Sequence, residues 1–391
     1  MQDVRDDLDD EVYLDHNATT PLRAEVLAAM QEVLRDVHGN PSSTHAEGAR
    51  ARALIEAARA RVASAVGAEA SGIVFTSGAT EANHAAIRSA FVRGARAGRS
   101  RIVTSTIEHP SVVEAIRALE VEGARPEWIG VDSEGRIDLD ALAKSVDEST
   151  ALVSLIWANN ETGVVQPVEE IVALARAHGA AVHLDATQCP GKLAIDLGSL
   201  GAESLSASAH KLNGPKGVGF VALAPGLEIE PWLRGGGQER GRRGGTENVA
   251  GIAGLGVACE LAARELPERV ARFAALRDRL FRGIVERIPG AARNGSAVHV
   301  LANTLSVRFP GVAGDVLVEA LDLEGIAASS GAACHSGSVE PSRVLLAMGL
   351  GPELARASLR LSIGHGVDEA AIDRVLEVLP DLVKRVRSSA S

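Results

Sequence analysis

The chain has 391 residues, a formal net charge of −11 and 46% hydrophobic residues. This composition is typical of an ordinary globular protein long enough for two domains, and the acidic balance argues against nucleic acid as the main partner. No apolar run approaches the roughly 20 residues that span a bilayer, and the N-terminus is acidic where a signal peptide is basic, so we expect a cytoplasmic protein with no membrane partner.

Short β-branched runs alternate with longer alanine- and leucine-rich stretches of helical period along the first two thirds of the chain. The runs are GIVFTSG, RIVTST, ALVSLIWANN and AVHLDATQ, and the helical stretches include ATEANHAAIRSAF, PSVVEAIRALE and VEEIVALARAHG. This alternation is typical of βαβ units. It predicts an α/β fold with a mostly parallel sheet and helices on both faces.

The C-terminal third predicts a smaller α+β unit. Its predicted elements are a long helical region from about Val249 to Ile288, the strand NTLSVRF, a helix from about Gly314, the loop GIAASSGAACHSGSVEPS, a helix near Val344, the strand ARASLRLSIG and a final helix from Asp368. We place a large domain at residues 15–260 and a small C-terminal domain at 261–391, against which residues 1–14 are expected to pack.

Three stretches at predicted strand ends carry the chemistry of a cofactor site. TSGATEAN leads from a strand through glycine into a helix, whose free N–H groups suit a phosphate, although a plain strand-to-helix turn fits as well. Asp185 ends the apolar strand AVHLDATQ, where a carboxylate wants a cationic partner such as a protonated pyridine or serves as a cap. Lys211, in SASAHKLNGPKGVGF, also follows a strand, and in a partly dry site it can bond an aldehyde.

Together these three signals describe a pyridoxal phosphate site. Lys216, in GPKG, is the competing lysine, and its position in a proline-led turn favours a solvated, structural role. His109 follows another strand and is a candidate to face the cofactor ring. The histidines show no HxxxH or HExxH spacing, so no metal site is expected.

The three cysteines are too few for a disulfide framework and are expected to be reduced. Cys334 lies in SSGAACHSGS, a loop of small residues, and is the candidate nucleophile. Cys259 falls on an apolar helical face, and Cys189 precedes a proline; both are interpreted as structural. Arg360, in ASLRLSIG, suits a substrate carboxylate or a buried salt bridge, and the sequence leaves both open.

These motifs resemble the cysteine desulfurases of the NifS/IscS type, in the class V aminotransferase group of fold-type I pyridoxal phosphate enzymes. The resemblance runs in order through nearly the whole chain. It rests on YLDHNATTP, GNPSSTH, FTSGATEAN, IEHPSV, NNETGVVQP, HLDATQ, SAHKLNGPKGVG, GGGQERGRRGGTEN, SSGAACHSG, EPSRVL and LRLSIG.

The resemblance implies a role for each residue at a matching position. Lys211 would bond the cofactor and move protons, and Cys334 would take the sulfur of L-cysteine as a persulfide. The remaining roles are pairing with the pyridine nitrogen (Asp185) and the phenolic oxygen (Gln188), stacking and catalysis (His109), phosphate binding (Ala79, Thr80, Ser208, His210, and Thr246 from the other subunit of a homodimer), and substrate binding (Asn160, Arg360).

The implied activity releases alanine from L-cysteine and passes the sulfur to an acceptor protein, such as an iron–sulfur scaffold. Three alternatives stay open. His335 after the cysteine gives GAACHS, which looks like the selenocysteine lyases, for which selenocysteine would be the substrate. A class V aminotransferase would keep Lys211 and Asp185 without needing Cys334, and a non-catalytic sulfur-transfer partner would keep only the fold.

Overall fold

The computed structural model describes residues 11–330, 333–335 and 338–389. The strands are β1 Val12–Tyr13, β2 Ile73–Thr76, β3 Arg101–Ser105, β4 Arg125–Ile129, β5 Thr150–Ile156, β6 Ala181–Asp185, β7 Ser204–Ser208, β8 Gly219–Leu223, β9 Ala292–Arg293, β10 Thr304–Arg308, β11 Ile326–Ala327, β12 Ser329–Ser330, β13 Ala333–His335, β14 Ser338–Glu340 and β15 Ser358–Ser362.

The helices are α1 Ala24–Asp36, α2 Ala46–Ala65, α3 Ala79–Arg96, α4 Pro110–Glu120, α5 Leu139–Ser145, α6 Val168–Ala177, α7 Leu197–Leu200, α8 Val249–Arg264, α9 Leu266–Arg287, α10 Gly314–Asp322, α11 Arg343–Ala347, α12 Pro352–Arg356 and α13 Glu369–Ser389. Among the described residues, none of these helices is both long and apolar enough to cross a bilayer.

Seven strands form the central sheet in the order β2-β8-β7-β6-β5-β3-β4. All neighbours are parallel except β8, which runs antiparallel to β2 and β7. Every residue of β5, β6 and β7 is buried, as expected for strands covered on both faces. The α/β prediction with a mostly parallel sheet is confirmed. The parallel strands end at one edge, where ligands of such sheets bind.

A second hydrophobic cluster lies on a four-stranded antiparallel sheet of order β12-β15-β10-β9. It contains residues of α9, α10 and α13 together with Val12 and Leu14 from the start of the described chain. The cluster of the central sheet extends from Val26 to Leu301. The domain boundary near residue 260 stays a prediction.

The helical region expected from about Val249 to Ile288 is confirmed, and it consists of two helices. α8 ends at Arg264 and α9 begins at Leu266, with Pro267 in its first turn, where a missing N–H costs nothing. One local prediction was wrong. The predicted loop before Val344 begins with two short strands, of which β11 pairs with β1 and β12 pairs with β15. Their runs of two residues are too short for a periodic signal.

A buried ion pair fixes the glycine-rich loop that follows β8. Arg59 of α2 donates two hydrogen bonds to Glu239, at 2.7 and 2.8 Å, and both side chains are at most 3% exposed. Glu239 also accepts from the backbone N–H of Phe75 at 3.0 Å. Glu239 and Arg240 both have positive φ angles, of 46° and 60°, which is an uncommon conformation for residues other than glycine. The ion pair therefore holds a backbone turn that the chain would otherwise avoid.

We predict that Glu239→Ala lowers the free energy of unfolding by about 3–5 kcal/mol, because it removes the buried partner of the Arg59 guanidinium and leaves only the half-exposed Glu56, 3.1 Å from Nε. Urea denaturation measures the change. Arg240→Ala is the matched control, since Arg240 forms only an exposed pair with Glu56 at 3.4 Å, and its loss is expected to cost less than about 1 kcal/mol. Equal effects of the two substitutions would contradict the anchoring role.

Candidate active site

A pocket of about 550 Å³ opens at the carboxyl edge of the central sheet. Nine of the residues that the sequence predicts for the site line it: Ala79, Thr80, His109, Asn160, Asp185, Gln188, Ser208, His210 and Lys211. They come from the ends of β2, β3, β5, β6 and β7, or from the turns that follow. The sheet therefore brings together residues that are up to about 130 positions apart in the chain, counted from Ala79 to Lys211.

The N-terminus of α3 forms one end of the pocket. Gly78 precedes it with φ 158° and ψ 179°, a backbone conformation that is essentially restricted to glycine, and no side chain caps the helix. Gly219 of β8 packs against this turn so closely that a Cβ there would lie 2.7 Å from the Cα of Gly78. Since first-turn N–H groups have no partner within a helix, this end of the pocket suits an anion such as a phosphate.

Asp185 also lines the pocket and is 3% exposed. Its Oδ1 accepts hydrogen bonds from the backbone N–H of Thr187, at 3.0 Å, and from the Thr187 hydroxyl, at 2.5 Å. Its Oδ2 accepts one from Nδ2 of Asn83 at 3.0 Å. A carboxylate has about four acceptor positions, so one remains on Oδ2. Among the described residues no basic side chain pairs with this buried anion, and the arrangement fits a cationic ring nitrogen.

Lys211 follows β7 and reaches across the pocket to the start of the chain. Its Nζ donates to the carbonyl oxygens of Asn17 and Ala18, each at 2.6 Å. Burial, and then repulsion from Arg360, lower the pKa of Lys211 from 10.5 to about 8. A substantial fraction of the amine is therefore neutral near pH 8, and the neutral amine is the form that attacks an aldehyde. Lys216, the competing lysine, is exposed and lies at the rim of the same pocket.

A third lysine, Lys192, lies near the pocket and was not predicted from the sequence. Lys192 is 7% exposed, and its Nζ donates to Oε1 of Gln188 at 2.6 Å. Nε2 of Gln188 then donates to the carbonyl oxygen of Asn17 at 3.0 Å. Burial lowers the pKa of Lys192 to about 7. The only available signal was its spacing of four residues after Gln188, which does not distinguish a buried lysine from a solvated one.

Arg360 of β15 lies beside the pocket rather than in its lining. Its Nη2 pairs with Oδ1 of Asp15 at 2.5 Å, and its Nη1 donates to the carbonyl oxygen of Asn160 at 3.1 Å. The salt bridge that the sequence left open is therefore present. Since Asn160 lines the pocket, the guanidinium is held at its border.

His109 caps α4, and its Nδ1 accepts a hydrogen bond from the backbone N–H of Ser111 at 3.1 Å. The His109 ring is exposed to the open pocket. The protein around the pocket still reduces its hydration, and this desolvation lowers the pKa of His109. His210 contacts Thr19, with 3.2 Å between Nδ1 and Oγ1, and burial followed by repulsion from Lys211 lowers its pKa to about 4. Both rings are thus neutral at physiological pH.

Two predicted residues remain, Thr246 and Cys334. Thr246 is exposed. The backbone of Cys334 lies in β13, opposite Val339 of β14, and its side chain lies outside the described residues. Cys189 and Cys259 are buried free thiols, and burial raises the pKa of Cys259 to about 12, so both are unreactive. Within the described residues no group of three or more histidine, cysteine or acidic side chains could hold a metal ion.

The profile of the family described as "Aminotransferase class-V" matches residues 12–375. The chain belongs to this family. Among its relatives, a protein named cysteine desulfurase from Cereibacter sphaeroides is 48% identical over 380 residues, which cover 96% of this chain and 97% of the relative. Cysteine desulfurase 2 of Trichormus variabilis is 44% identical over 377 residues, or 96% of this chain and 94% of the relative.

Solved structures are similar over the same extent. A NifS-like protein aligns with a TM-score of 0.90 and 37% identity over 96% of this chain and 100% of its own. A structure titled "SspA in complex with cysteine" aligns with a TM-score of 0.79 and 35% identity over 90% of this chain and 98% of its own. The predicted resemblance to NifS-type cysteine desulfurases is confirmed.

We predict that the cofactor-free protein captures pyridoxal phosphate at a rate that rises with pH around a midpoint near 8, the pKa of Lys211. Below that pH the amine is protonated and unreactive; above it the neutral amine predominates. The growth of the visible absorbance band of the bound cofactor measures the rate. Lys211→Arg is the control without a band, and a midpoint near 10.5, the ordinary value for lysine, would contradict the shifted pKa.

Proposed function

We propose that this chain is a pyridoxal phosphate-dependent cysteine desulfurase. The observation that carries the proposal is the combination in one pocket of Lys211, with its lowered pKa, and Asp185, a buried carboxylate with no cationic partner in the part of the chain that the structure describes. Relatives that bear this activity in their names, at 44–48% identity over 96% of the chain, give the substrate class.

The pocket residues divide into groups that would hold the cofactor. The N-terminus of α3 with Ala79, Thr80, Ser208 and His210 would bind its phosphate, and Lys211 would bond its aldehyde carbon. The vacant acceptor position on Oδ2 of Asp185 would receive the ring N–H. Gln188, whose amide oxygen is already engaged by Lys192, would donate from Nε2 to the phenolic oxygen.

When bound, pyridoxal phosphate supplies an electron sink for the bonds at the substrate α-carbon. Asp185 would keep the ring nitrogen protonated and so maintain that sink. Lys211 Nζ, close to the reacting carbons, would take the α-proton and return it. Asn160 and Arg360 would orient the substrate, with Arg360 binding the carboxylate through N–H groups that Asp15 and Asn160 leave unused.

Cys334 would act as the nucleophile toward the substrate sulfur. The thiolate of Cys334 forms the new sulfur–sulfur bond as the carbon–sulfur bond of the substrate breaks, and the substrate carbon takes up a proton. L-cysteine and one enzyme thiol thus give L-alanine and one persulfide, with atoms and electrons in balance. The two other cysteines are buried, which leaves the thiol in β13 as the candidate.

The assembly and the downstream partner complete the proposal. Thr246 is exposed outside the pocket of its own chain, in agreement with a phosphate contact made to the other subunit of a homodimer. The persulfide would pass to an acceptor protein, such as an iron–sulfur scaffold, in the cytoplasm. A turnover assay that measures alanine and sulfide from L-cysteine, with selenocysteine in parallel, tests the activity and its preference between sulfur and selenium.

We predict that Cys334→Ala lowers alanine formation from L-cysteine at least about a hundredfold, because removal of a nucleophile removes the covalent route. The visible absorbance of the bound cofactor is expected to remain, since Lys211 and Asp185 are untouched. Cys259→Ala, at a buried position of α8, is the matched control and is expected to retain turnover. Alanine production by Cys334→Ala at the control rate would refute the persulfide step.

A further inference from the structure

A buried network of hydrogen bonds lies beneath the pocket and is centred on Asn83 of α3. Asn83, His183 and Ser206 are each 0% exposed. The four polar contacts of the Asn83 amide join it to Asp185 and Ser111 at one end and to His183 and Ser206 at the other. None of these contacts is needed to explain the fold of α3, whose backbone bonds are made within the helix.

The direction of the network follows from Asp185. A carboxylate only accepts hydrogen bonds, so the NH₂ end of the Asn83 amide faces it, with Nδ2 3.0 Å from Oδ2. The second hydrogen of Nδ2 goes to the hydroxyl oxygen of Ser111 at 2.9 Å. Oδ1 is then left as an acceptor for Nε2 of His183, at 3.0 Å, and for the hydroxyl of Ser206.

The same reasoning assigns the proton of His183. Its Nε2 carries the hydrogen, because Oδ1 of Asn83 cannot donate. Its Nδ1 is then an acceptor for the hydroxyl of Ser204 at 2.9 Å. Burial lowers the pKa of His183 to about 4, which keeps the ring neutral and in this tautomer. The orientation of the Asn83 amide is therefore fixed from both ends.

On the other side the network reaches His109. The hydroxyl of Ser111 accepts from Asn83, so its own hydrogen is directed to Nδ1 of His109 at 2.8 Å. The backbone N–H of Ser111 donates to the same nitrogen at 3.1 Å. With two donors on Nδ1, the neutral ring carries its proton on Nε2. That nitrogen has no hydrogen-bond partner among the described residues, and the ring lines the pocket.

We propose that Asn83 is a positioning residue for Asp185 and His109. It fixes the carboxylate so that one acceptor position on Oδ2 faces the pocket, and through the Ser111 hydroxyl it adds a second donor to Nδ1 of His109, which reinforces the backbone N–H of Ser111 in placing the proton on Nε2. The assignment for Asp185 rests on the proposed cofactor. The assignment for His109 rests on the protein alone.

The first test compares two buried substitutions in the network. Asn83→Leu removes the donor to Asp185 and is expected to weaken pyridoxal phosphate binding by roughly tenfold or more, the loss of one hydrogen bond to a charged group. Ser206→Ala removes a donor to Asn83 without touching Asp185 or Ser111, so binding is expected to stay within about threefold even where the free energy of unfolding falls. Cofactor titration of the dialysed protein gives the dissociation constants, and urea denaturation gives the stabilities.

Equal weakening by the two substitutions, or unchanged cofactor affinity in Asn83→Leu, would overturn the positioning role of Asn83. A conservative variant sharpens the comparison. His183→Gln keeps an N–H near Nε2 and is expected to preserve cofactor affinity, whereas His183→Leu is expected to lower it. The ring N–H is held in place by Ser204 and fixes the Asn83 amide in one orientation, whereas the Ser206 hydroxyl can rotate to donate or accept and does not. Loss of affinity in both would contradict the assigned tautomer of His183.

The second test needs no loss of function and no cofactor. In protein labelled with ¹⁵N-histidine, long-range proton–nitrogen NMR distinguishes a protonated from an unprotonated ring nitrogen, and His109→Asn assigns the signal. We expect Nε2 protonated in the wild type, and a proton on Nδ1 would overturn the inference for His109. A wild-type protein that binds no pyridoxal phosphate would refute the proposed function instead, while leaving this measurement valid.

Discussion

The structure of the site depends on one buried charge. Asp185 is almost fully enclosed, its carboxylate accepts three hydrogen bonds from Thr187 and Asn83, and the residue lines the pocket with one acceptor position to spare. A buried anion that lacks a cationic partner is costly unless something else supplies the charge. The site thus lacks a positive charge beside Asp185, which a protonated heterocycle would supply.

Helix α3 links this charge to the anion end of the pocket. Its N-terminus begins at Ala79, and Asn83 follows four residues later, which is about one turn or 6 Å along the axis. In the proposed site the same helix would therefore present N–H groups to the phosphate of the cofactor and hold the carboxylate that would pair with its ring nitrogen. The distance between the N-terminus of α3 and Asn83 is therefore set by the geometry of the helix and not by a flexible loop.

Three lysines near the pocket show how surroundings assign roles to the same side chain. Lys216 is exposed at the rim, Lys211 is partly buried with two carbonyl partners, and Lys192 is buried with an amide partner. Burial lowers the pKa of the latter two, to about 8 and about 7. Of the three, Lys211 alone combines a place in the pocket lining with partial burial, so its lowered pKa comes from its position in the fold rather than from its sequence neighbours.

The sequence predicted the parallel sheet and the strand-end positions of Asp185, Lys211 and His109, because buried apolar runs and turns leave clear local signals. The other six predicted residues that line the pocket were expected only from the family resemblance: Ala79, Thr80, Asn160, Gln188, Ser208 and His210. The sequence did not predict Asn83, Lys192 or Asp15, whose contacts join residues far apart in the chain. In the sequence Asn83 looks like an ordinary helix residue. Its contact with Asp185 is evident only once β6 and α3 are placed side by side. The break at Glu265 and the two-residue strands were also missed, since both are decided by tertiary packing.

The short segment that begins the described chain has a mechanical consequence. Leu14 is part of the C-terminal hydrophobic cluster, the backbone N–H of Asn17 is bonded to Ser362 of β15 at 2.9 Å, and the carbonyl oxygen of Asn17 accepts from Nζ of Lys211 at 2.6 Å. Three residues of extended chain reach at most about 10 Å, so this tether has little slack. A shift of the C-terminal sheet would therefore also move the Asn17 carbonyl oxygen that accepts from Nζ of Lys211.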